Sequence, residues 1–244
     1  MVSQMRFKRL FFFTLIFLLL NSIFSQDVSQ ERLVRILLWA QKDVYPGYFD
    51  EEISEKERAN NVARAGDNEF SVPVRKIKEI SPFMLEGMVY GWNFSYTPYD
   101  KARGVEEFFE FEPVQKFSSE QIGRISYENP WTDEANLFAW VEFRRDESQL
   151  SLYKSWTSIV NPRIRGTGYA KLSEGFDGIQ KATGEALKEA VRNYERTKIK
   201  TKPKEISGTV LMTKEPQIGI NSGRYKVTLE FFMEIDRIVE YRVF

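Results

Sequence analysis

The chain has 244 residues, 35 of them basic and 35 acidic, with 20 Phe, 11 Tyr and neither His nor Cys. The missing residues exclude Ser-His-Asp triads, Cys-His dyads, His-ligated zinc or haem, and a lipid-modified N-terminal cysteine. Without disulfides, an exported chain must be held together by its core, and 42% hydrophobic residues supply one.

The N-terminus carries Arg6, Lys8 and Arg9, then an apolar run from Leu10 to Leu20 broken only by Thr14, then Ser22-Ile23-Phe24-Ser25. This order of charge, apolar run and small residues predicts a signal peptide over 1–25, cleaved after Ser25. The run falls short of the roughly 20 apolar residues of a membrane span. Cleavage leaves 219 residues and, with three of the 35 basic residues gone, a net charge of −3. That balance argues against nucleic acid as a partner. No transmembrane span is expected after signal removal. The length suits one large domain or two small ones, with a division near Pro162 giving units at 26–162 and 163–244.

Residues 27–43 predict a helix with an Asp27/Gln30 cap and Leu33, Ile36, Leu37 and Ala40 on one face. A charged second helix is expected over 50–65, closed by Gly66. Then the period becomes two. Phe70, Val72 and Val74 alternate, as do Met88, Tyr90, Trp92, Phe94 and Tyr96, predicting strands. Further strands are expected at Phe109–Val114, Ile122–Tyr127 and Leu137–Phe143, followed by a helix over 147–160. Beyond Pro162, the pattern predicts a strand from Ile164 to Leu172, a long helix over 176–196, and strands at Ile206–Met212 and Tyr225–Ile235. The fold class is α+β, with antiparallel sheets packed by helices and a C-terminal β-α-β-β unit.

Within that unit, Ala182, Ala186 and Ala190 recur every four residues, with Gly184 among them, a spacing that lets a helix approach a sheet closely. Lys181 and Glu185 have helical ion-pair spacing. Gly166-Thr167-Gly168-Tyr169-Ala170, the Ala-spaced helix, Ile206-Ser207-Gly208 and Tyr225-Lys226-Val227 together resemble the small envelope domain of bacterial lipoproteins associated with flagellar outer rings. The likeness covers about 165–235, and this chain lacks the cysteine that such proteins lipidate. It implies a scaffold or assembly role and supplies no catalytic residue.

Other signals are sparse. Ser151-Leu152-Tyr153-Lys154 has the S-x-x-K spacing of penicillin-recognising enzymes, without their accompanying motifs. Glu106, Glu107, Glu110 and Glu112 form an acidic run from which a glycosidase pair could come, though a solvated strand face explains it as well. Gly166-x-Gly168 lacks the third glycine of a dinucleotide loop. Arg196, Lys198, Lys200, Lys202 and Lys204 follow the long helix and are candidates for contact with an anionic lipid or cell-wall surface. Trp92, Phe94 and Tyr96 are either core or the lining of an aromatic groove.

The sequence therefore predicts an exported bacterial envelope protein that acts by binding or assembly, in the periplasm, on an envelope protein or cell-wall polymer. No catalytic, metal or cofactor site is expected. The alternatives are a carboxylate-based glycan hydrolase and a carrier of an apolar ligand. Cell fractionation is expected to recover the protein outside the cytoplasm, about 25 residues shorter than its reading frame. Full-length soluble protein in the cytoplasm would refute export.

Overall fold

The computed structural model describes residues 31–42, 70–158 and 161–241. The signal segment and the charged helix expected over 50–65 lie outside them. Two antiparallel sheets and four helices make up the described fold, with a C-terminal strand-helix-strand arrangement, an α+β architecture.

The smaller sheet has the order β1-β5-β4, built from β1 (Leu33–Gln41), β4 (Ser126–Thr132) and β5 (Asn136–Arg144). β1 corrects the helix expected over 27–43. Leu33↔Arg144 through Gln41↔Asn136 pair in register with β5, and Val34, Ile36, Leu38 and Ala40 are the buried set. The segment reads at period 3.6 and at period 2, and pairing with β5 selects the second.

The larger sheet has the order β3-β2-β7-β9-β6, with β8 also on β9. Its strands are β2 (Trp92–Thr97), β3 (Phe108–Pro113), β6 (Arg163–Lys171), β7 (Glu205–Met212), β8 (Gln217–Asn221) and β9 (Arg224–Val239). The sequence pattern does not separate β8. It joins β9 through Ser222 and Gly223, both at positive φ (49° and 72°), the backbone of a tight two-residue hairpin. β2 pairs with β7 from Trp92↔Val210 to Tyr96↔Ile206, so this ladder crosses the division drawn near Pro162.

Helix α1 (Ser71–Val89) lies between the two sheets. It replaces the alternating strand expected at Phe70, Val72 and Val74. Its apolar side is Ile77, Ile80, Met84, Leu85 and Met88, all buried. Glu86 O accepts from both Tyr90 N–H and Gly91 N–H. Gly91 then takes φ +84°, so β2 begins at Trp92 rather than near Met88. A one-turn helix, α2 (Ser119–Gly123), occupies the start of the strand expected at 122–127. Ser118 and Gln121 close its capping box. Helix α3 (Glu147–Ser158) sets Trp156 against Leu211 and Phe232 on the outer face of the larger sheet. Arg145, just before α3, is buried and donates to Glu31 O and Met88 O while lying 4.2 Å over the Tyr153 ring; burial lowers its pKa to about 10.

Helix α4 (Gly175–Lys198) packs on the inner face of the larger sheet. The contact is nearly backbone to backbone. A Cβ on Gly166 would stand 2.0 Å from Ala186 O, and one on Gly168 would stand 1.9 Å from Ala182 O. Gly168→Ala is therefore expected to lift α4 from β6 and cost at least about 1–3 kcal/mol. At Gly219 a Cβ would meet nothing within 4 Å, so Ala there is expected to be accepted within about 0.5 kcal/mol. Denaturant unfolding measures both, and equal losses would contradict this account.

Candidate functional site: a groove beside an edge strand

Sheet edges carry unpaired main-chain groups, and three of the edges here are blunted. At β1, Glu215 accepts the Leu37 N–H at 2.6 Å, and the Trp39 indole donates to Ile218 O. At β6, Glu189 accepts the Thr167 N–H at 2.6 Å, and Arg163, Arg165 and Lys171 are exposed. At β4 the ladder shifts between Glu128 and Trp131, around Asn129 at φ 45° and Pro130.

β3 is different. It pairs only with β2 among the described residues. Val114 N–H donates to Gly91 O, and the register carries that bonding on to Glu112 and Glu110. Alternation then turns the main-chain groups of Phe109 and Phe111 outward. Pro113, which has no N–H, ends the row.

This edge runs beside α4. A Cβ on Gly184 would be 2.8 Å from the Phe111 ring. On one side of that contact lies a cavity of about 340 Å³ with Phe109, Gly184 and Lys188 in its lining. On the other lies one of about 570 Å³ reaching Phe83, Glu79 and Glu86 of α1 and Lys116. Phe111 and Lys181 border both, so the two form one groove along β3.

At the narrow end, Arg192 Nε donates to Glu107 Oε1 at 2.8 Å, and Tyr96 OH donates to the same oxygen at 2.9 Å. Partial burial alone would raise the Glu107 pKa, but these two donors hold it below the usual carboxylate value. Burial and the Glu107 hydrogen bond push the Tyr96 phenol up to about 12. At the wide end, Glu86 is 7% exposed and accepts the Phe117 N–H at 2.7 Å. Its burial raises its pKa against the pull of that hydrogen bond and of Lys116.

Trp92, Phe94 and Tyr96 are 0%, 4% and 1% exposed. They fill the core between sheet and helices because β2 turns that face inward, and Phe94 also borders a depression beside Asn93, Ser95, Glu110 and Glu112. Trp92 stacks on Phe83 with ring centroids 5.2 Å apart. Glu110 and Glu112 stand exposed on the opposite face of β3. Arg196, Lys198, Lys200, Lys202 and Lys204 are all exposed around the end of α4, where Lys202 Nζ donates to Tyr99 O. Lys181 pairs with Glu174, and Lys188 with Glu185, in place of the Lys181–Glu185 pair expected from spacing. Ser151 and Lys154 lie on α3, and Lys154 pairs with Glu31 at 3.5 Å. No group of three or more acidic residues among the described residues converges closely enough to hold a metal ion. No described helix is long and apolar enough to cross a membrane.

Sequence reasoning does not find Glu86. Its only signal is a charge inside the apolar period of α1, just before the alternation that begins at Met88.

A protein-family model matches residues 22–241. An uncharacterized protein of Treponema pallidum (strain Nichols) is 26% identical over 211 residues, covering 86% of this chain and 83% of that protein. No solved structure matches.

The raised pKa of Glu86 fixes the sign of a pH effect. Its contribution to stability is full below the unfolded value near 4.5 and is lost as pH rises through the higher folded value. Glu86→Gln, which keeps an acceptor for Phe117, is therefore expected to raise the melting temperature more at pH 7 than at pH 4. A pH-independent difference between the two proteins would contradict this assignment.

Proposed function

This chain belongs to the family matched over residues 22–241, and we propose that it is an exported envelope protein that binds an extended segment of a partner protein by strand addition to β3. The observation that carries the reading is the open edge at Phe109 and Phe111 beside a groove, on a molecule whose edges at β1, β4 and β6 are blunted. Main-chain hydrogen bonds from such an edge give affinity, and the groove selects alternate side chains. Export is supported by the charged and apolar N-terminal pattern, which lies almost wholly before the family match at residue 22. In this reading Arg196, Lys198, Lys200, Lys202 and Lys204 face an anionic surface of the envelope. Binding or assembly without catalysis agrees with the resemblance to flagellar-ring-associated domains, whose role is scaffolding.

A carboxylate hydrolase is the second reading. Glu86 and Glu112 border the same cavity, and burial shifts the Glu86 pKa upward, the direction a general acid requires. Turnover of peptidoglycan or glycan that Glu86→Gln abolishes would favour it.

The binding reading is tested in cells. A photo-crosslinking residue in place of Phe108, 53% exposed at the edge, is expected to give a discrete protein adduct. The same residue at Ile220, 44% exposed on β8, is expected to give none. No adduct at Phe108, or equal adducts at both positions, would refute strand addition.

A further inference from the structure

We infer, on the strand-addition reading, that the added strand is basic: an extended segment of another protein in which Lys or Arg alternates with small aliphatic residues. Two charges on the outer face of β3 carry the inference. Glu110 and Glu112 are exposed, and on β2 they face Ser95 and Asn93, neither of which is charged. Neither carboxylate has an ion-pair partner among the described residues. They stand two residues apart, about 7 Å along the strand, with a depression of about 270 Å³ that Asn93, Ser95, Glu110 and Glu112 help to line. A strand laid on this edge puts its own alternate residues opposite them, where opposite charges favour pairing and like charges oppose it.

The inner face selects differently. Residues opposite Phe109 and Phe111 enter the groove where the Phe111 ring already meets Gly184, so small side chains fit there. At the wide end, Glu79 and Glu86 border the groove with Lys116 and Lys181, and Lys181 is already paired with Glu174 at 2.9 Å. The unpaired negative charge is therefore on the outer face, at Glu110 and Glu112.

The same charges oppose pairing with a second copy of this chain. If Phe109 and Phe111 exchanged hydrogen bonds with the Phe111 and Phe109 of another β3, Glu110 would lie directly across from its own counterpart. An unpaired row of carboxylates thus keeps the open edge from closing on itself while leaving it open to a cation-bearing strand.

Fluorescence anisotropy with the purified full chain tests this on three labelled, end-blocked peptides: Val-Lys-Val-Lys-Val-Thr, Val-Glu-Val-Glu-Val-Thr, and Val-Val-Lys-Lys-Thr-Val, which has the charge of the first without its alternation. The alternating basic peptide is expected to bind at least about tenfold more tightly than either of the others. Exchanging both carboxylates, Glu110→Lys with Glu112→Lys, is expected to reverse the preference to the acidic peptide. Phe109→Pro, which removes one outward N–H, is expected to abolish binding of both alternating peptides. Equal affinity for basic and acidic peptides, lost in Phe109→Pro, would overturn charge selection and leave strand addition standing. Basic-peptide binding that survives Phe109→Pro, binding as tight by the non-alternating peptide, no binding of any peptide, or dimerisation of the wild-type chain would each overturn the inference. If Phe109→Pro does not fold, the charge reversal and the non-alternating peptide decide.

Discussion

The approach of α4 to β6 is the contact on which the rest of the molecule depends. Gly166 and Gly168 present bare backbone to the turns at Ala182, Ala186 and Ala190. The helix sits so deep that both outer strands of the larger sheet reach it. β6 does so through Glu189 and the Thr167 N–H, and β3, at the opposite edge, through Phe111 and Gly184. A bulkier seam would hold α4 higher, and β3 would then stand free of it. The groove beside β3 is a product of that depth.

Close packing at native density leaves little freedom to adjust. Phe83, Trp92, Phe111 and Phe176 meet edge to face or stacked between α1, β2, β3 and α4. These rings tie the walls of the groove to the seam below, so its width is set by the core and not by surface side chains.

The C-terminal half is legible from sequence because its signals are local. The small-residue spacing of α4, its 3.6 period and the strands flanking it each lie within one element. The N-terminal half is less legible, for a physical reason. β1 and the start of α1 are short apolar runs compatible with both periods, and distant partners decide between them: β5 for Ile36 and Leu38, and both sheets for Ile77 and Met84. The alternation from Met88 to Tyr96 is half strand and half helix end, because the register change at Gly91 depends on a positive φ that no period reveals. The groove is not legible at all. It is defined by which edge lacks a neighbour, a property of the sheet order and of no single segment.

That sheet order also governs when the structure can exist. β8 and β9 meet across Ser222 and Gly223, a closure that takes on the order of microseconds. β2 must wait for β7, since Trp92 pairs with Val210. Any machinery that delivers this chain from its N-terminus therefore holds β2 and β3 without their sheet until almost the last strand has emerged. During that interval the two strands expose apolar residues and unbonded backbone. Glu110 and Glu112 would then act as gatekeepers against aggregation, before the fold that displays them has formed.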